Sequence, residues 1–277
     1  VLRQLSGVRG GQRSGSSGVL TPAPNHYHPP TLSRLSSADF QLQSYPPMKP
    51  RLKLAESTFT GGILSLSQHD GSYSISLDGK ELMHSRANAS ELLLGSLGVA
   101  RLKNETSGRV LIGGLGLGFT LKGVLESVQD RTIIEVAELI PEVIEWNRTY
   151  LKNLNGSLLD HPQVKIRPVD VTRLIQEAEP HTYDAIMLDV DNGPNAMVVN
   201  TNASLYSKNG IRSICQALKH DGRLVVWSAG PDQGFEKRLS RAELKVEAVR
   251  AKAHSGAKSP SHFLYMADLQ DSDKKRK

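Results

Sequence analysis

Apolar and polar positions alternate in short runs between Leu54 and His84, and glycine interrupts them at regular intervals. Gly61-Gly62 precedes the run ILSLS, Asp70-Gly71 separates it from SYSISL, and Asp78-Gly79 follows. A period of two broken by Asp-Gly pairs signals hairpins, because the tight turn between two strands needs positive φ at both of its residues. The stretch therefore predicts a small antiparallel β-unit. The period then lengthens. Leu92, Leu93, Leu97 and Val99 give an apolar side to a predicted helix running to Leu102, with Ser90 placed to cap it.

From residue 109 onward, apolar runs of strand length alternate with helical ones. Strands are predicted at 109–112, 132–136, 164–167, 183–188 and 223–227, with helices from Phe119, over Pro141–Leu151, and at 171–178, 209–218 and 235–241. Pro141 suits the first turn of its helix, where its missing N–H has no partner to lose. Such alternation predicts a parallel sheet covered by helices on both faces. The last two strands, 244–250 and 262–267, have no helix between them and are expected to pair as a hairpin. That places an antiparallel strand in the sheet. The fold class is α/β, a Rossmann-like doubly wound sheet of the class I methyltransferase type preceded by a small antiparallel β-unit.

Composition adds the ends of the chain to this picture. Residues 1–38 contain no Asp or Glu, carry Arg3, Arg9, Arg13 and Arg34, and are crowded with Ser, Gly and Pro. Such a segment cannot bury enough apolar surface to order itself. It is read as a disordered arm, with an organelle-targeting peptide as the alternative. The expected organisation is an arm at 1–48, the β-unit at 49–86, a Rossmann-like ligand-binding domain at 87–268 and a basic tail at 269–277. The formal charge of +6 belongs to the ends, four arginines in the arm and Lys274 to Lys277 in the tail. No basic, aromatic-studded face is visible, so a nucleic-acid partner is not expected. No apolar run reaches membrane-spanning length, which predicts a soluble protein of the cytoplasm, or of an organelle if residues 1–38 are a targeting peptide. Cys215 is the single cysteine and sits at helical spacing with Ile211, Ile214 and Leu218. It reads as a core residue. His161 and His181 fall in predicted loops without paired spacing, so no metal site is expected.

The chemistry concentrates at VLIGGLGLGFT, Val110 to Thr120, where an apolar strand breaks into Gly113, Gly114, Gly116 and Gly118 before a helix begins. Glycines there admit positive φ and let a ligand approach the backbone. Tight packing between strand and helix is the bland alternative. A dinucleotide fingerprint starting at Gly114 would need glycine or alanine at 119, where Phe119 stands. The G-x-G-x-G spacing of Gly114, Gly116 and Gly118 instead suits an adenosyl sulfonium ligand. Acids follow at successive strand ends, Glu138, Asp170, Asp189 and Asp191. In open α/β sheets the ligand lies outside those ends, and an acid after the second strand binds ribose hydroxyls. Asp170 is open to two compatible roles, acceptor for an adenine amino group and N-cap of the next helix. Trp146 and Trp227 are expected to be packing residues.

These residues carry a family resemblance. VLIGGLGLGFT, ELIPEVIEWNRTYL, HPQVKIRPVDVTRLI, YDAIMLDVDNGP, LYSKNGIRSICQALKHDGRLVVW and the preceding GGILSLSQHDGSYSISLDGKELM resemble, in consistent order from about Thr58 to Trp227, the spermidine synthase family of polyamine aminopropyltransferases. The resemblance implies a transferase that moves an aminopropyl group from decarboxylated S-adenosylmethionine to a diamine or polyamine, without a metal. It implies Asp189 as the catalytic acid-base residue and Glu138 on the ribose. Asp170 would meet the adenine edge, and Gly114, Gly116 and Gly118 would lie beneath the donor. Asp191 is implied on the donor or amine side and Glu91 on the amine substrate. A homodimer is one assembly it implies. A methyltransferase using intact S-adenosylmethionine, or a non-catalytic adenosyl-ligand-binding protein, are the other readings. The chain departs from the family pattern in three places. Leu115 and Leu117 stand in a loop that usually carries aspartate, DVDNGP replaces DSSDP, and Ala89-Ser90-Glu91 replaces Tyr-His-Glu.

Overall fold

A computed structural model describes residues 50–59, 61–102, 107–190, 204–242 and 244–270. The expected β-unit is a four-stranded antiparallel meander of β1 (Leu52–Phe59), β2 (Gly62–His69), β3 (Ser72–Leu77) and β4 (Lys80–His84). Both Asp-Gly turns hold two positive φ angles, 47° and 72° at Asp70-Gly71 and 48° and 78° at Asp78-Gly79. That backbone twist matches the right-handed twist of the strands it joins. Asp78 also reaches across the sheet, its Oδ1 accepting from the Ile63 N–H at 2.9 Å.

The second sheet contains β5 (Arg109–Gly113), β6 (Ile133–Ala137), β7 (Val164–Arg167), β8 (Tyr183–Leu188), β9 (Leu218–Ser228), β10 (Leu244–Ala251) and β11 (His262–Leu269). Their spatial order is β10-β11-β9-β8-β5-β6-β7. Strands β5 to β9 pair in parallel, and β11 runs antiparallel to both β9 and β10. The final hairpin is thus as expected. Around the sheet lie α1 (Ala89–Val99), α2 (Phe119–Leu125), α3 (Pro141–Thr149), α4 (Lys152–Asn155), α5 (Val171–Glu177), α6 (Lys208–Ala217) and α7 (Gln233–Arg241). The chain winds outward from β5 through β6 to β7, then crosses back to place β8 on the other side of β5. A crevice forms where the order reverses.

The central strands are mostly apolar because both faces are covered. Val110, Leu111, Ile112, Ile134, Val136 and Ile186 are wholly buried. Val110 and Ile112 feed the core on one side of the sheet and Leu111 the core on the other. Each such side chain contributes roughly 1.5–3 kcal/mol through burial. Trp146 packs in the first core, and Cys215, a free thiol, lies partly buried against the second.

Three local expectations are corrected. Ser90 is not a cap: the N-cap position of α1 belongs to Asn88, and Ser90 lies inside the helix, buried, with its hydroxyl turned to tertiary partners. Helix α3 ends at Thr149 rather than Leu151, because the Leu151 N–H folds back onto the Trp146 carbonyl at 3.0 Å and carries Leu151 into the core. Strand β9 begins at Leu218, which pairs with Tyr183 before an irregularity in register that includes Asp221 at φ 64°. The arm expected over 1–48, the tail beyond residue 270 and Asp191 lie outside the described residues. Among the described residues no helix is long and apolar enough to cross a membrane.

Candidate active site

The crevice at the carboxyl ends of β5, β6 and β8 is a cavity of about 410 Å³, within the range of roughly 300–1,000 Å³ usual for small-ligand sites. Gly114, Gly116, Glu138, Asp170 and Asp189 line it on the sheet side, and Glu91 faces them from α1. The two sheets meet over it. Leu64, Ile75, Leu77 and Met83 of the meander supply an apolar wall.

The glycine turn forms the floor. Gly114, Gly116 and Gly118 hold φ at +88°, +51° and +86°, the left-handed geometry expected from sequence. Gly114 is the most constrained. A Cβ there would lie 2.2 Å from the Asp189 carbonyl oxygen, so strands β5 and β8 approach as closely as they do only with glycine between them. The leucines of the turn point away: Leu115 and Leu117 are 5% and 1% exposed and belong to the first core. Beneath the turn, the buried Asn147 amide donates to the Gly116 carbonyl at 2.9 Å, and the Asn155 side chain lies 2.7 Å from Asn147. Neither asparagine was singled out in the sequence.

Glu138 holds the turn from above. Its Oε2 accepts from the Leu115 N–H at 3.0 Å and its Oε1 from the Ile140 N–H at 2.8 Å. Burial raises its pKa, and backbone donors, Ile140 first, oppose that rise. Glu138 also lines the cavity, so its carboxylate borders the space a ligand would occupy. Asp170 caps α5 through Oδ1, which accepts from the Thr172 N–H at 2.8 Å. It also lines the cavity, so both of its expected roles are compatible with its position.

Asp189 follows β8 and hangs over the turn. Its Oδ2 accepts from Thr120 Oγ1 at 2.6 Å. Burial pushes its pKa up to about 6, and the Thr120 hydroxyl works against that shift. Glu91 is raised well above the usual carboxylate range by burial and then by the charge of Asp189. Two acids facing one cavity cannot both ionise cheaply, so the pair retains a proton where isolated carboxyls would not. Thr120 was also missed in the sequence. Its signal was its place one residue after Phe119, in the first turn of the helix that leaves the glycine turn.

A third group closes the cavity on the β9 and β11 side. Trp227 Nε1–H donates to Ser90 Oγ at 3.0 Å, Ser90 Oγ lies 2.8 Å from His262 Nδ1, and the His262 ring meets Trp227 edge-on at 4.7 Å. Ser90, Trp227 and His262 all line the cavity. Trp227 packs against the first core, as expected, and also commits its N–H to this cluster. Burial lowers the pKa of His262. Among the described residues no three His, Cys, Asp or Glu side chains gather as a metal site.

Comparison with known proteins places this geometry. The spermine/spermidine synthase domain matches residues 93–245. Polyamine aminopropyltransferases of Mycobacterium tuberculosis and Mycobacterium bovis are 32% identical over 124 residues, 44% of this chain and 23% of theirs. The matched stretch thus spans about a quarter of those relatives. A spermidine synthase solved in complex with the transition-state analogue AdoDATO shares the fold with a TM-score of 0.65 and 20% identity, covering 82% of this chain and 79% of the other. The spermidine synthase of Thermotoga maritima does so with a TM-score of 0.60 and 20% identity, over 82% and 78% of the two chains. With more than half of its residues matched by the domain, the chain belongs to the spermine/spermidine synthase family.

Proposed function

We propose that the protein is an aminopropyltransferase, with decarboxylated S-adenosylmethionine as donor and a small amine as acceptor. The observation that carries this reading is the placement of Glu91 and Asp189 together on the cavity that the glycine turn, Glu138 and Asp170 also line. The turn, Glu138 and Asp170 suit an adenosyl group: a floor without Cβ atoms, a carboxylate at the cavity edge for ribose, and a second carboxylate for the adenine amino group. Glu91 and Asp189, which retain a proton between them, present a shared negative charge that suits a cationic tail. An intact S-adenosylmethionine would bring its own carboxylate toward them and be repelled, which favours the decarboxylated donor over methyl transfer.

The reaction needs a neutral amine. Its nitrogen lone pair attacks the aminopropyl carbon bonded to the sulfonium, the carbon–sulfur bond breaks, and its electron pair stays on sulfur as methylthioadenosine. The nitrogen then carries a surplus proton. Asp189, ionised above about pH 6 and held by Thr120, takes that proton. Glu138 and Asp170 bind and orient the donor throughout.

The test is a direct product assay. Incubation with decarboxylated S-adenosylmethionine and an amine should release methylthioadenosine and the aminopropylated amine. Release of S-adenosylhomocysteine from intact S-adenosylmethionine would support methyl transfer instead. Binding of the donor without turnover in any amine would support a ligand-binding protein.

A further inference from the structure

The Ser90, Trp227 and His262 cluster has hydrogens that can be counted. Indole Nε1 can only donate, so Ser90 Oγ accepts from Trp227 at 3.0 Å. Ser90 is 1% exposed, and its own hydroxyl hydrogen needs an acceptor. His262 Nδ1, 2.8 Å away, is the one recorded. The hydroxyl therefore donates to Nδ1, and the neutral ring carries its hydrogen on Nε2. Burial keeps the ring neutral by lowering its pKa. Among the described residues Nε2 has no hydrogen-bond partner, and His262 lines the cavity.

What this wall offers a second substrate is thus narrow. Trp227 has committed its N–H, Ser90 its hydroxyl, and His262 retains one donor. Among the described residues, the side chains of Ser90, Trp227 and His262 thus present apolar surface and a single uncommitted N–H, and none of the three has an acceptor left over. An ammonium placed there would meet a donor where it needs acceptors and would lose its hydration without compensation. A hydroxyl or carbonyl would meet the Nε2–H directly. Glu91, next in sequence to Ser90, belongs with Asp189 to the acidic side of the cavity, where burial and the Asp189 charge hold it toward its protonated form.

Resting on the aminopropyltransferase reading, we propose that His262 is the specificity-determining residue of the acceptor half of the cavity. The second substrate is then an amine whose far end is an uncharged hydrogen-bond acceptor, a hydroxyl or carbonyl, rather than a second ammonium. Its amino group lies toward Asp189 and reacts as described above. Its far end accepts from His262 Nε2–H across the Trp227 surface. A site with a committed donor selects against ligands that leave that donor unpaired, and against those that bring it a second donor.

The experiment is calorimetric binding of a matched series, butylamine, 1,4-diaminobutane and 4-aminobutan-1-ol, to full-length protein saturated with methylthioadenosine. That nucleoside leaves the acceptor half open. The amino alcohol should bind about tenfold more tightly than either competitor. His262→Phe should erase its advantage, and His262→Gln, whose amide nitrogen can replace Nε2–H, should restore most of it. Unchanged methylthioadenosine affinity in both variants shows that they are folded. Equal or tighter binding of the diamine, an advantage that survives in His262→Phe, or no amine binding at all overturns the proposal. Failure of methylthioadenosine itself to bind overturns the transferase reading, and the proposal with it.

Discussion

Thr120 donates its hydroxyl to Asp189 at 2.6 Å, joining the helix that leaves the glycine turn to the end of β8. The bond leaves the other carboxylate oxygen to the cavity and fixes which way the carboxylate points. It also stabilises the charged form, since a hydroxyl donor pairs better with a carboxylate than with a carboxylic acid.

Thr120→Val keeps the shape of the side chain and removes the donor. The pKa of Asp189, already at about 6, should rise, because desolvation then acts unopposed. The acid limb of kcat/KM should move to higher pH by about one unit, with rates near wild type above pH 8. Thr120→Ser should return the limb to its original position. An unmoved acid limb in Thr120→Val would remove Thr120 from the proton-handling role.

Asp189→Asn separates catalysis from stability. Turnover should fall by at least about a hundredfold, the usual loss when a positioned base is removed, while affinity for methylthioadenosine, which lacks the cationic tail, changes little. Stability should change in the opposite sense. The folded chain holds the Asp189 proton up to about pH 6, whereas the unfolded chain releases it near 3.8. The native state binds more protons over that interval, so the contribution of Asp189 to stability falls as pH rises through it. The asparagine variant lacks this dependence. Its Tm should gain on wild type by a few degrees between pH 4 and pH 7, as scanning calorimetry at a series of pH values would show.

The sheet was legible because its strands are buried on both faces. Continuous apolar runs such as Val110 to Ile112 and Ala185 to Leu188 have no other stable place in a chain of this kind. The Asp-Gly turns were equally plain, since positive φ at consecutive residues restricts the residue choice. The strand-end acids followed from the rule that ligands sit at those ends. Tertiary polar contacts were not legible. Ser90 looks like a cap by residue type, yet its partners Trp227 and His262 lie 137 and 172 residues away. The spacing of a serine, a tryptophan and a histidine in three different elements carries no period that would join them. Thr120 and Asn147 share that character, each significant only through a contact made after folding.

Gly114→Ala and Gly116→Ala should differ although both residues have positive φ. Left-handed backbone costs an alanine roughly 1–2 kcal/mol. At Gly116 the new methyl would meet Met83 Sδ at 3.1 Å, a flexible side chain that can move aside. At Gly114 it would meet the Asp189 carbonyl oxygen at 2.2 Å, which is backbone and cannot yield without moving β8. Gly114→Ala should cost about 3 kcal/mol or more and displace Asp189, whereas Gly116→Ala should stay near 1–2 kcal/mol. Denaturant titration measures both. Similar costs would mean that the contact between β5 and β8 relaxes more easily than its geometry suggests.

Glu138 serves the fold and the donor at once, and two substitutions can divide those roles. Glu138→Ala strands the buried Leu115 N–H and the partly buried Ile140 N–H beside the turn. An unpaired buried donor costs about 1–3 kcal/mol, so the alanine variant should lose stability and donor affinity together. Glu138→Gln keeps one acceptor oxygen and substitutes an NH₂ for the other. It can hold one of the two N–H groups but offers ribose hydroxyls a weaker, uncharged partner. Donor affinity in Glu138→Gln should fall about tenfold or more for one lost charge-assisted bond, with less loss of stability than in the alanine variant. Calorimetric titration with methylthioadenosine, which has the ribose but no charged tail, isolates this contribution. Undiminished affinity in Glu138→Gln would confine Glu138 to shaping the turn and move ribose recognition to another residue.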